Sequence, residues 1–274
     1  MRTKPLPDAF AYGIDIDIGK KMHHVAAVNR EGAVIQRAKF ARETLQSFFD
    51  LAPKALIGME ACTGSQWLAR RLIEIGHDAR IIPARFVKPY VKSNKTDTVD
   101  AAAIAEAVTR PTMRFVEVRT PEQVDLQALH RIRDRLVGQR TGLMNQARAF
   151  CIEYGLATRI GAGGFHADIG RHLANPENDL TQNMRALLND LLDDLAYIEG
   201  RVKALSASIE AIANEDATIR GLLTIPEIGA LGATALVAAA GDGDLARACS
   251  AEHSTGGNRP FLESVSVETD MCAV

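Results

Sequence analysis

Near the start of the chain, isoleucine alternates with aspartate in the segment Gly13-Ile-Asp-Ile-Asp-Ile18. A period of two is the pattern of a β-strand, so the three isoleucines would face a core and Asp15 and Asp17 the opposite side. A carboxylate inside an otherwise apolar strand is costly unless it is paired or binds a cation. The segment therefore predicts a sheet whose first strand bears a polar site.

The remaining chain divides by hydrophobic periodicity into a mixed α/β part and a helical part. Antiparallel strands followed by alternating strands and helices predict a mixed α/β domain. The predicted elements are strands at His24–Val28, from Ala33, at Ala55–Met59 and at Ala79–Ile82, and helices at Thr44–Leu51, Ser65–Gly76 and Thr98–Val108.

After Pro121 the pattern becomes helical. A long helix is predicted over Glu122–Tyr154, a flexible break at Gly161–Gly164, and a heptad-like coiled-coil arm over Met184–Asn214. Leu222–Val237 is typical of a helix-hairpin-helix. We expect three domains, at residues 1–155, 156–216 and 217–274.

Composition excludes several classes of protein. The formal net charge of the 274 residues is −2, so nucleic acid would have to bind to local basic patches. The four cysteines are far apart, which argues against a zinc knuckle or a disulfide scaffold. The sequence has no apolar run of about 18 residues and no signal-peptide pattern, so we expect a cytoplasmic protein without a membrane partner.

Acidic residues stand at the ends of predicted elements. Glu60 closes a buried strand, while Asp97 and Asp100 are three residues apart where a helix begins and so share a helical face. Carboxylates from a first strand, a neighbouring strand end and a later helix can converge on Mg²⁺, which prefers oxygen ligands. Paired metal ions of this kind serve phosphoryl transfer.

Three motifs resemble the DEDD transposases of bacterial insertion sequences, the insertion-sequence one-ten group. They are Gly13-Ile-Asp-Ile-Asp-Ile-Gly-Lys20, Gly58-Met-Glu-Ala-Cys-Thr-Gly64 and Lys92-Ser-Asn-Lys-Thr-Asp-Thr-Val-Asp-Ala101, in that order. The resemblance implies an RNase H-like, RuvC-like α/β domain, followed by the coiled-coil arm and a small helical C-terminal segment. It also implies cleavage and rejoining of DNA to mobilise an insertion sequence.

The resemblance assigns Mg²⁺ to four matched carboxylates, Asp17, Glu60, Asp97 and Asp100. Asp15 is the alternative first carboxylate because it keeps the preceding Gly-Ile, whereas Asp17 is followed by Ile-Gly-Lys as in the family; we prefer Asp17. Further implied partners are a structured guide RNA and a second copy of the chain, bound through the coiled-coil arm.

Basic residues surround the third motif and continue along the next helix. We predict that Lys88, Lys92, Lys95, Arg131 and Arg135 bind nucleic acid, because phosphate contacts give affinity that is independent of sequence and sensitive to salt.

The C-terminal part matches the family least well. His253-Ser-Thr-Gly-Gly257 fits the family's serine motif, which implies that Ser254 is a nucleophile, with Ser250 and Thr255 as weaker matches. The expected surroundings are missing and the last residues are acidic. We therefore expect a shortened or frameshifted end, with residues 242–274 poorly packed.

Two other functions remain open at this point. A junction-resolvase-like nuclease would use the carboxylates without the serine. A truncated, inactive relic would bind nucleic acid and dimerise without rejoining DNA.

Overall fold

The computed structural model describes residues 13–18, 22–29, 34–87, 104, 107–108 and 113–239. These residues fall into two compact units, one ending at Glu122 and the other beginning at Gln123. The three-domain division given above stays a prediction, and the predicted packing of residues 242–274 lies outside the described part.

The first unit is built on a five-stranded mixed sheet with the order β3-β2-β1-β4-β5. The first three strands pair antiparallel, and β1 pairs parallel with β4, which pairs parallel with β5. The bounds are β1 Gly13–Ile18, β2 Met22–Val28, β3 Val34–Ala41, β4 Leu56–Glu60 and β5 Asp78–Ile82.

One face of the sheet packs against helices α1 (Arg42–Leu51) and α2 (Ser65–Glu74). Alternate residues of the strands supply this core, which is joined by Phe49 and Leu72. The strand residues buried in it include Ile16, Val25, Phe40, Ile57, Met59 and Ile81. The prediction that the isoleucines of β1 face a core is confirmed for Ile16, which is fully buried.

The opposite face has a second, smaller core over β4 and β5. Ile82 packs there with the helical residues Ile104, Ala107 and Val108, and with Val87 of the short helix α3 (Ala84–Val87). By strand alternation this is also the face of Glu60 and of positions 15 and 17 of β1. We call it the carboxylate face.

The second unit is helical. Its helices are α4 Pro121–Glu153, α5 Ala162–Ala174, α6 Gln182–Glu215 and α7 Ala217–Leu222, and residues 230–239 are helical as well. Helix α6 begins where the Thr181 hydroxyl accepts the Met184 N–H at 3.1 Å, and α7 where the Asp216 carboxylate accepts the Ile219 N–H at 2.9 Å. Both are N-caps of the kind that Thr and Asp favour.

Helices α4 and α6 run antiparallel to each other within this unit. Arg133, early in α4, donates to Ser206, late in α6, at 2.9 Å, while Cys151 at the end of α4 shares a core with Leu188 at the start of α6. The heptad positions Leu188, Leu195, Val202 and Ile209 are all buried. The apolar face that the sequence assigned to a coiled-coil arm is therefore covered within the chain.

The predicted flexible break at Gly161–Gly164 is wrong, because α5 begins there. Gly161 takes a positive φ of 87° as the residue before the helix, and a Cβ on Gly164 would lie 2.9 Å from that of Arg159. Gly161 is therefore required by its backbone conformation and Gly164 by the close approach of Arg159. Because glycine has a low helix propensity, the glycine-rich start of α5 does not have the sequence pattern of a helix.

Of the predicted helix-hairpin-helix segment Leu222–Val237, Leu222 is the last residue of α7, residues 223–229 connect the two helices, and residues 230–237 are helical, so the first helix begins five residues before the predicted start. The positive φ in the turn, 70°, belongs to Glu227 and not to a glycine. Among the described residues, no helix has the length and apolar character needed to cross a membrane.

Candidate functional site

The candidate site starts from the pairing of β1 with β4. In this parallel pair Asp15 lies level with Gly58 and Ile16 with Met59. Continuing that register by one residue sets Asp17 level with Glu60, the last residue of β4. Neighbouring strands are about 4.8 Å apart, so the two acidic positions are adjacent on the carboxylate face. Asp15 is level with a glycine instead.

Glu60 is half-buried and is followed by a hydrogen-bonded turn. The Ala61 N–H donates to the Ile82 carbonyl at 2.8 Å, which extends the pairing with β5 past the end of β4. The Ser65 hydroxyl then donates to the Cys62 carbonyl at 2.9 Å, and Gly64 takes a φ of 98° before α2. Gly64, the last glycine of the second motif, is therefore required because other residues rarely adopt this backbone conformation.

Gly58, the first glycine of that motif, is required because the side chains of Val108 and Ile104 approach its backbone closely. A Cβ at this position would lie 3.0 Å from the Cβ of Val108 and 3.3 Å from Cγ2 of Ile104. The end of the predicted helix Thr98–Val108 therefore packs directly on the carboxylate face. Asp97 and Asp100, which the sequence placed at the start of that helix, lie outside the described residues.

On the other side of β1, strands β2 and β3 also have residues level with Asp17 and Asp15, and each such set of residues forms a row across the sheet. Asp17 pairs with His24, and His24 pairs with Lys39. The next row runs from Asp15 through Ala26 to Arg37. Sequence reasoning predicted both strands but did not identify His24, Arg37 or Lys39 as residues near the site, although the alternation in Val34–Ala41 was a signal that could have identified Arg37 and Lys39.

The predicted nucleic-acid-binding residues are only partly described. Lys88, Lys92, Lys95 and the proposed nucleophile Ser254 lie outside the described residues. Arg131 and Arg135 are exposed and one turn apart on α4, and so share a face of the helix.

Three other basic residues of α4 have partners inside the second unit. His130 shares a hydrogen bond with the Thr234 hydroxyl at 2.9 Å, and burial lowers its pKa. Arg133 donates to Ser206. Arg148 donates to the carbonyls of Arg159 and Gly161 at 3.4 and 3.2 Å and lies over the Phe165 ring. These contacts stabilise the helical unit.

A buried carboxylate in the second unit is also structural. Asp168, whose side chain is 6% exposed, accepts four hydrogen bonds from Arg159 and one from Arg171. Hydrogen bonds from Arg159 hold its pKa well below the usual range of an aspartate. Within the described part of the chain, no three His, Cys, Asp or Glu side chains form a group suited to a metal ion.

Comparison with known proteins identifies the family. A family profile described as a transposase matches residues 14–154. A probable family 20 transposase of Pseudomonas aeruginosa is 41% identical over 84% of this chain and 68% of its own length. The transposase for IS1328 of Yersinia enterocolitica is 37% identical over 84% and 68%, and that for IS1111A of Coxiella burnetii is 36% identical over 84% and 63%. The chain therefore belongs to the DEDD transposases of the IS110 type.

Proposed function

We propose that this transposase cleaves and rejoins DNA to mobilise an insertion sequence, with Asp17, Glu60, Asp97 and Asp100 as its metal-binding carboxylates. The observation that supports this most directly is the parallel register of Ile16 with Met59, which, continued by one residue, sets Asp17 level with Glu60. The strand order, with three antiparallel strands followed by two parallel ones, supports an RNase H-like, RuvC-like domain.

The donor set fits a divalent cation. DEDD-type transposases typically use divalent metal ions, and the four residues supply carboxylate oxygens, the ligands that Mg²⁺ prefers. When bound, such ions supply charge stabilisation to the phosphoryl group under attack. Asp100 belongs to the predicted helix Thr98–Val108, of which Ile104 and Val108 pack on Gly58.

Ser254 is proposed as the nucleophile that forms a transient covalent link to DNA. This assignment rests on the match of His253–Gly257 to the family's serine motif. Lys88, Lys92, Lys95, Arg131 and Arg135 are proposed to hold the phosphate backbone. Of these, Arg131 and Arg135 are exposed in the described part of the chain.

Two further partners are proposed. A structured RNA from the element would guide target choice, as the family resemblance implies. Self-association through α6 would use its outer side, which exposes Leu187 and Tyr197, since the heptad residues are buried within the chain.

The test of the carboxylate site compares Asp17→Asn with Asp15→Asn. Each purified variant is assayed for Mg²⁺-dependent cleavage of DNA that contains the element's ends, and thermal unfolding checks the fold. We expect Asp17→Asn to lose at least about a hundredfold in rate, because a metal site supplies several kcal/mol of charge stabilisation. Asp15→Asn should lose much less. A reversed order would make Asp15 the first carboxylate, and full activity in both would reject the site.

Ser254→Ala separates the transposase from the two other functions. A transposase should bind DNA normally but lose strand transfer. Cleavage that survives this substitution would favour a resolvase-like nuclease. A wild-type chain that binds DNA and forms no product would favour an inactive relic.

A further inference from the structure

The edge strand β3 has one exposed face with two positive charges. Ala38 and Phe40 pack against the core on the side of α1 and α2. The alternate residues Ile35, Arg37 and Lys39 are exposed, so they lie on the carboxylate face. The strand contains no acidic residue that could neutralise these two cations.

The sheet register connects these cations to the candidate site. Lys39 lies level with His24 and, one strand further, with Asp17, while Arg37 lies level with Ala26 and then Asp15. Two inter-strand steps of about 4.8 Å give a separation of roughly 10 Å between β3 and β1. Along the axis of a duplex, each strand rises about 3.4 Å per nucleotide, so this separation corresponds to about three nucleotides measured along that axis.

Within the five described strands, the Lys and Arg residues other than Arg80 are both on β3. Arg80 lies level with Gly58 on β5, at the opposite end of the strand order from β3. Its guanidinium is paired with Asp78 at 2.6 Å and lies 5.0 Å from the centroid of the Phe115 ring. A backbone phosphate that approaches the carboxylates would therefore meet exposed cations at the β3 edge. Arginine and lysine are the side chains that proteins use most for such contacts.

We propose that Arg37 and Lys39 form a phosphate-binding strip for the DNA strand that enters the carboxylate site. The inference rests on the proposed function, because it takes DNA at the carboxylates as its starting point. The strip would hold the backbone a few nucleotides from the scissile phosphate without reading bases, as sequence-independent phosphate contacts do. Charges on an edge strand can also serve only to prevent edge-to-edge pairing, and the test includes that outcome.

The test is the double variant Arg37→Gln/Lys39→Gln in the full chain. Its affinity for a fluorescent duplex of arbitrary sequence is measured by anisotropy over a series of salt concentrations. Each lost phosphate contact should reduce the log–log salt slope by about 0.9, or about 1.8 for both. Between about 50 and 200 mM salt the wild type should therefore lose about tenfold more affinity than the variant.

Two controls match this variant. Arg201→Gln/Lys203→Gln removes two exposed positive charges from α6 and should leave the slope unchanged. Arg37→Lys/Lys39→Arg keeps both charges on β3 and should retain the wild-type slope. Melting temperatures of all three variants should stay close to that of the wild type, because the replaced side chains are exposed.

The outcomes separate the strip from the proposed catalytic site. A wild-type slope in Arg37→Gln/Lys39→Gln rejects the strip and leaves edge protection as its role, whatever the carboxylate variants do. An equal loss in the α6 control also rejects it, because the effect would then follow from net charge alone. A reduced slope in the β3 variant alone supports the strip, even if Asp17→Asn keeps its cleavage activity and the carboxylate assignment fails.

Discussion

At the scale of single residues, the buried imidazole of His77 joins the start of β4 to the end of α1. It is 4% exposed, its Nε2–H donates to the Phe49 carbonyl at 3.1 Å, and its Nδ1 accepts the Ala55 N–H at 3.2 Å. Only the neutral ring can make both bonds, since a protonated Nδ1 would face the Ala55 N–H donor. Burial is the main cause that lowers the pKa of His77 from 6.5.

Because the two hydrogen bonds of His77 require a neutral ring, we expect the first unit to lose stability in acid. The unfolded chain takes up a proton on His77 below its ordinary pKa of 6.5, whereas the folded protein resists it to lower pH. The free energy of unfolding should therefore fall as the pH drops from about 6.5 towards the lowered pKa. Urea unfolding followed by the fluorescence of the single tryptophan, Trp67, measures this for the first unit. His77→Gln should be less stable at neutral pH but flatter with pH, and parallel curves would contradict the prediction.

Sequence reasoning at this scale identified residue types but not their partners. It marked the Asp pair of β1 and Glu60 because carboxylates among apolar residues are conspicuous. It noted that basic residues continue along the long helix beside the proposed nucleic-acid-binding residues, yet the guanidinium of Arg148 in that helix donates to carbonyls 11 and 13 residues later in the chain. A charge is visible in a sequence, whereas the backbone group that satisfies it depends on how the loop folds back.

At the scale of elements, the second motif is held by close packing at Gly58. Gly58→Ala would place a methyl group 3.0 Å from Val108, in a core where added volume typically costs about 1–3 kcal/mol. We expect a loss of that size in the free energy of unfolding, with partial recovery in Gly58→Ala/Val108→Ala.

The matched control is Gly142→Ala in α4. A Cβ at Gly142 meets nothing within 4 Å, and alanine favours a helix over glycine by up to about 1 kcal/mol. This variant should be at least as stable as the wild type. Equal stability of the wild type and Gly58→Ala in urea unfolding would show that the helix of Ile104 and Val108 yields readily.

Strands and long helices were predictable because their periodicity is local. The prediction of Glu122–Tyr154 differs by one residue at each end from Pro121–Glu153, and Met184–Asn214 falls just inside Gln182–Glu215. The register that sets Asp17 level with Glu60 was not predictable, because it depends on a parallel pairing between strands 43 residues apart. Neither was the location of Arg37 and Lys39, which follows from the same sheet.

At the scale of the whole molecule, the heptad pattern of α6 serves the fold of the second unit. Its leucines were predicted to bind a second copy of the chain, but Leu195 is 1% exposed and shares a core with residues of α4 and α5. A heptad repeat specifies an apolar face and does not specify which helix covers it. In this chain, α4 and α5 already supply that cover.

Stability and self-association should therefore respond to different faces of α6. Leu195→Ala should lower the free energy of unfolding by about 2–5 kcal/mol through the cavity it leaves, without changing the molecular mass in solution. Leu187→Ser/Tyr197→Ser replaces side chains that are 45% and 67% exposed, and should change stability by less than about 0.5 kcal/mol per site. If the proposed oligomer uses the outer side of α6, the second variant should dissociate at concentrations where the wild type does not. Sedimentation over a concentration series decides this, and dissociation caused by Leu195→Ala in a fully folded chain would return the interface to the heptad face.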